Sequence, residues 1–103
     1  MHRMKRRPTH PGIIIKEDYL LPLSISIKDM ASSLGISRKT LSKIINGRGS
    51  ITPEMALRLS RAFNTTPDLW MNLQVNYDLW QAEHETNSWQ SVQPIQLTLL
   101  HSH

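Results

Sequence analysis

Arg38, Lys39, Ser42 and Lys43 fall close together in the chain, and Arg48 follows a few residues later. At about 100° per residue Arg38, Lys39, Ser42 and Lys43 occupy one arc of a helix with Asn46, while Leu41, Ile44 and Ile45 take the opposite arc. No Asp or Glu stands between Asp29 and Glu54, so this arc is cationic, rich in donors and free of acids. Its chemistry is anion recognition. A helix fits the major groove of B-DNA, where Arg or Lys donates to guanine O6 and N7 and Ser bonds base edges or phosphates. Arg38 and Lys39, in the first turn, are the expected base readers, with Ser42 and Lys43 one turn on. Ser37, Thr40 and Arg48 are expected on phosphates, where the free amides of a helix start also point. A merely solvated basic face is the bland alternative.

The elements that must position this arc are marked by caps. Ser26 followed by Asp29 is a capping-box-like start, and Met30, Ala31 and Leu34 recur at helical spacing until Gly35. Ser37 caps the next helix after a turn of only Gly35 and Ile36. Two short helices joined by a glycine turn, the second carrying the basic arc, meet the requirements of a helix-turn-helix over residues 27–46. Ala31 is small where the two helices approach. Pro11 opens a first helix that Pro22 closes, Thr52–Pro53 starts a fourth that runs through Phe63, and Thr66–Pro67 starts a fifth. The fourth is expected to turn Met55, Ala56, Leu59, Ala62 and Phe63 inward, with Glu54, Arg58 and Arg61 outside. The expected fold is all-α: a five-helix lambda-repressor-like domain over 11–85, a flexible basic arm over 1–10, and a tail over 86–103. In the tail Ile95, Leu97 and Leu99 alternate with polar residues as in a short strand.

Charge divides the chain. All twelve Lys and Arg lie from Arg3 to Arg61 against four acids, and four acids with no Lys or Arg follow, within a net charge of +4. The first part suits a polyanion and the second something else. Arg3, Lys5, Arg6 and Arg7 in the arm, with Lys28, are candidate phosphate or minor-groove contacts. The fifth helix carries two apolar faces. Leu69, Trp70, Leu73, Tyr77 and Trp80 can close the core, whereas Met71, Val75, Leu79 and Ala82 call for a partner or for the tail to fold back over them. A homodimer reading a palindromic operator fits the partner reading, since two half-sites multiply affinity.

Other classes find little support. With 103 residues one small core is expected, and the 39% hydrophobic content argues against disorder. The absence of cysteine removes disulfides, thiolate zinc sites and cysteine nucleophiles, which agrees with a cytoplasmic location. No apolar stretch is long enough for a membrane span. His2, His10, His84, His101 and His103 form no ligand spacing, and no nucleophile elbow or phosphate loop is present. Neither catalytic residues, a metal nor a cofactor is expected.

The runs THPGIIIKEDYLLPLSIS, ISRKTLSKIINGRGSITPEMALRLSRAFNTTP and DLWMNLQVNYDLW resemble the HigA/VapI-type antitoxins, a branch of the Xre-like helix-turn-helix proteins. The resemblance spans residues 9–80. It implies a dimeric antitoxin that neutralises a HigB/RelE-like mRNA-cleaving toxin and represses its own operon, with Arg38, Lys39, Ser42 and Lys43 reading DNA. The chain departs from the pattern at Ile13, where an acid is common, at Ile27, where the motif often opens on Gln, at Gly49, where a basic residue often stands, and in its apolar tail. A solitary Xre-type regulator without a toxin, and an interaction module that has lost DNA binding, are the alternatives.

Overall fold

The computed structural model describes residues 6–96. Helix α1 (Pro11–Ile14) runs unbroken into a π-helical segment (Ile15–Leu20), followed by α2 (Ile27–Leu34), α3 (Arg38–Ile45), α4 (Pro53–Phe63) and α5 (Pro67–Glu85). A 3₁₀ turn (Ser88–Ser91) follows, and no strand occurs among the described residues. Four of the starts are made by side-chain oxygens accepting an amide three residues on: Ser26 from Asp29, Ser37 from Thr40, Thr52 from Met55 and Thr66 from Leu69. Each satisfies one of the amides that a helix start leaves without a partner. Gly35 ends α2 at φ +72°, the left-handed conformation in which a side chain would be strained.

The first helix departs from the expected α-helix. Leu21 N–H donates to the Lys16 carbonyl at 3.0 Å, five residues back. Such bonding brings residues five apart onto one side, and Ile15 and Leu20 are both buried. In an α-helix they would stand more than a quarter-turn apart, so the wider winding is what lets both reach the core. Tyr19, beside them, stacks on Phe63 of α4 with ring centroids 3.8 Å apart.

Ile15, Leu34, Leu41, Ile44, Leu59 and Trp70 form the centre of the core. Trp70 is fully buried, and its indole Nε1 donates to Thr65 Oγ1 at 2.8 Å, so the ring enters without an orphaned donor. Helix α1 crosses α3 with almost no clearance: a Cβ on Gly12 would lie 1.8 Å from the carbonyl oxygen of Ile44.

Several inward and outward assignments change. Ala62 is exposed, and Ser60 takes a buried place instead, its hydroxyl donating to the Leu57 carbonyl. Arg58 is not simply outside, since its guanidinium donates to the carbonyls of Leu34 at 2.9 Å and Gly35 at 3.3 Å, closing the C-terminal end of α2. Gln74, a polar residue between the two apolar faces of α5, is 4% exposed. Its Oε1 accepts the Ile51 amide at 2.7 Å and its Nε2 donates to Asp78 Oδ1 at 2.9 Å. Replacing it leaves a buried amide without an acceptor, so Gln74→Ala is expected to cost about 1–3 kcal/mol. Urea unfolding measures this; an unchanged midpoint would contradict the role given to Gln74.

Candidate nucleic-acid interface

The structure brings the basic arc together as a surface. Leu41, Ile44 and Ile45 are buried under α3, while Arg38, Lys39, Thr40, Lys43 and Asn46 are exposed and Ser42 is half-buried. At the helix start Ser37 Oγ accepts the Thr40 amide at 3.0 Å and donates to Thr40 Oγ1 at 2.8 Å. The Ser37 proton is thus committed, whereas the Thr40 hydroxyl keeps its own for an incoming acceptor. Ser42 Oγ accepts from Asn46 Nδ2 at 3.4 Å, which likewise leaves the serine proton free.

Arg48 is exposed in the loop after α3. That loop folds back on the helix, for the amides of Arg48 and Gly49 both donate to the Lys43 carbonyl, at 2.8 and 3.0 Å. Lys28 is exposed in the first turn of α2. Of the arm, Arg3 and Lys5 lie outside the described residues and Arg6 is exposed. Arg7 is held: it donates to the Tyr77 hydroxyl, and its guanidinium carbon lies 5.3 Å from the Tyr77 ring centre and 5.9 Å from that of Trp80. The aromatic surface of α5 and the phenol oxygen together attract the cation, so this end of the arm is docked on the domain and not free.

His10, counted in the arm by sequence, is the cap of α1 and is buried. Its Nδ1 accepts the Gly12 amide at 2.9 Å, and its Nε2 lies 3.0 Å from the Gly49 carbonyl. Burial pushes its pKa below the ordinary 6.5, outweighing the opposite pull of the Gly49 hydrogen bond and of Asp78. Beside it a cleft of about 330 Å³ is lined by Arg7, Thr9, His10, Asn46, Gly47 and Tyr77. Sequence reasoning missed His10, because imidazole is an uncommon cap and its second partner lies 39 residues away; the HPG run was the available signal.

On α5, Val75, Leu79 and Ala82 are exposed, as a partner face requires. Met71 does not join them, since it is half-buried and packs against the core. The described part of the tail leaves that face open, and Trp89, Val92 and Ile95 are themselves exposed. Ile95 sits in irregular chain, while Leu97 and Leu99 lie outside the described residues. Among the described residues no cluster of three or more His, Asp or Glu could hold a metal, and no helix is long and apolar enough to cross a membrane.

A short helix joined through a glycine turn to a capped basic helix is the architecture of a helix-turn-helix domain, and the helix-turn-helix family matches residues 16–70. An uncharacterized helix-turn-helix transcriptional regulator of Haemophilus influenzae is 44% identical over 100 residues, which span 97% of this chain and 92% of that one. Antitoxin HigA-1 of Vibrio cholerae is 38% identical over 84 residues, spanning 82% and 79% of the two chains. Among solved structures, antitoxin GraA superposes with a TM-score of 0.82 at 38% identity, covering 87% of this chain and 99% of its own. Pseudomonas aeruginosa antitoxin HigA with the higBA promoter gives 0.80 at 34% identity, covering 86% and 99%. The chain belongs to the helix-turn-helix family and, within it, to the branch that holds the HigA antitoxins and the virulence-associated proteins.

Proposed function

We propose that the chain is an antitoxin that represses its own operon by sequence-specific DNA binding as a dimer and neutralises a HigB/RelE-like mRNA-cleaving toxin. The observation that carries the reading is the outer face of α3, where Arg38, Lys39 and Lys43 stand exposed over a buried Leu41, Ile44 and Ile45. Its likeness to an antitoxin described with its promoter supports the same reading. Arg38, Lys39, Ser42 and Lys43 read base edges in the major groove. Ser37 orders the helix start, and Thr40, Arg48 and Lys28 meet phosphates, together with Arg3, Lys5 and Arg6 of the leading segment. Arg7, held on Tyr77 and Trp80, anchors that segment to the domain.

Val75, Leu79 and Ala82 form the face for a second copy or for the toxin. The division into a basic arm, a helix-turn-helix domain and a tail fits these roles, with the domain beginning at His10. The protein acts in the cytoplasm, where DNA and mRNA are met, and works by binding and not by catalysis.

Co-expression with the product of the adjoining reading frame, where a small basic HigB/RelE-like toxin is expected, is the test. Growth rescue and co-purification, with retardation of a duplex spanning the shared promoter, are expected. Promoter binding with neither rescue nor co-purification would make the chain a solitary regulator, and no salt-sensitive binding to that duplex would leave only an interaction module.

A further inference from the structure

His10 stands where three parts of the domain meet. It caps α1 through Nδ1, reaches the loop after α3 through Nε2, and makes a T-shaped contact with the Tyr77 ring of α5 at a centroid distance of 4.8 Å and 81°. An Nδ1 that accepts an amide and an Nε2 that faces a carbonyl admit one state only, the neutral ring with its proton on Nε2. Gly49, the carbonyl partner, adjoins Arg48, and both amides bond to Lys43 of α3. The loop is therefore tied to α3 on one side and to His10 on the other. The charged and titratable groups facing the ring are Arg7 of the preceding segment and Tyr77 and Asp78 of α5; the loop offers it backbone.

We propose that His10 is a positioning residue for DNA binding: its neutral ring holds the Arg48–Gly49 loop against α3, and a proton taken up at Nδ1 releases that hold. The proton comes from water through the adjoining cleft and occupies the lone pair that the Gly12 amide uses, so the cap is lost and two N–H groups are set against each other. The ring turns to part them, against the Gly49 bond, which alone would favour the charged form. Gly49 then loses its partner, and the Arg48 guanidinium its fixed reach to the DNA backbone. This inference rests on the DNA-binding reading above.

The sign follows from burial. His10 resists protonation in the fold more than in the unfolded chain. Its contribution to stability is fully present above the unfolded value of 6.5 and is lost as the pH falls from there through the lower folded value. Binding follows the same direction because the complex needs the loop held and so disfavours the proton that the free fold can take up. Protonation of other histidines adds positive charge and would strengthen attraction to phosphate, the opposite direction. A loss of affinity in acid therefore cannot arise from net charge.

The test uses the full chain and a duplex spanning its own promoter, with excess unrelated DNA, at a temperature well below melting at every pH. Wild-type affinity is expected to fall by more than about twofold from pH 7.5 to pH 5. In His10→Asn the shorter side chain still offers an oxygen to the Gly12 amide but does not span to Gly49. This variant is expected to bind more weakly at pH 7.5 and to change less than about twofold across the range. A flat wild type, or a variant that keeps the wild-type pH response, overturns the proposal.

An NMR titration of the wild type alone decides the matter if the variant does not fold. The Arg48 and Gly49 amides are expected to shift with the same midpoint as the His10 imidazole, and binding with amides that do not follow it overturns this inference alone. Failure to bind the duplex at any pH overturns the DNA-binding reading and this inference with it.

Discussion

Gly12→Ala is expected to destabilise the domain by about 3 kcal/mol, the upper end of what forced overpacking costs. The added Cβ would lie 1.8 Å from the oxygen and 2.6 Å from the carbon of the Ile44 carbonyl. Both are backbone atoms in the last turn of α3, so no rotamer change relieves the overlap, and α1 must move away from α3. Helix propensity acts in the other direction, favouring Ala by about 1 kcal/mol. The two effects thus predict opposite signs, and the steric one is the larger. Urea unfolding at neutral pH separates them: a variant as stable as wild type would mean that the two helices part at little cost. Because the contact falls on α3 itself, promoter affinity should drop alongside stability.

The paired replacement Arg38→Ala with Lys39→Ala is expected to weaken binding to the promoter duplex by about 2–6 kcal/mol, at least thirtyfold, if each side chain makes one good contact to a guanine. Both residues are exposed, and neither belongs to the core. The unfolding midpoint should therefore stay within about 0.5 kcal/mol of wild type. The preference for the promoter duplex over random sequence should shrink as well, which loss of phosphate contacts alone would not produce. An affinity within threefold of wild type, with specificity intact, would remove these two residues from base reading.

The helix starts at Ser26, Ser37, Thr52 and Thr66 were legible in the sequence because a cap is a local event. The oxygen and the amide it accepts are three residues apart, and nothing distant needs to be known. For the same reason the buried and exposed arcs of α3 could be read from periodicity. What escaped depends on partners far along the chain. Gln74 reads as polar surface until Ile51, 23 residues earlier, presents an amide to it. Arg58 reads as solvated until the carbonyl end of α2 is folded beside it. Arg7 is one charge among several in a basic run, and only the return of α5 supplies the Tyr77 and Trp80 rings that hold it. The π-helical winding is a tertiary effect too, since Leu20 gains from that geometry only when a core is present to receive it.

The 19 residues of α5 make a rod about 28 Å long. Its buried residues, Trp70, Gln74 and Tyr77, all lie in its first eleven positions, and beyond them it continues to Glu85 with no buried side chain. It is therefore gripped most firmly at its near end, with side chains no more than half-buried, such as Trp80 and Glu83, beyond. A tilt of about 5° at Trp70 would carry the far end through about 2 Å, more than half a residue step along a strand of the duplex. The angular tolerance of any assembly built on that far end is consequently set by how firmly the Trp70 and Gln74 hydrogen bonds grip the near end and by how well Arg7, lying against Tyr77 and Trp80, braces the middle.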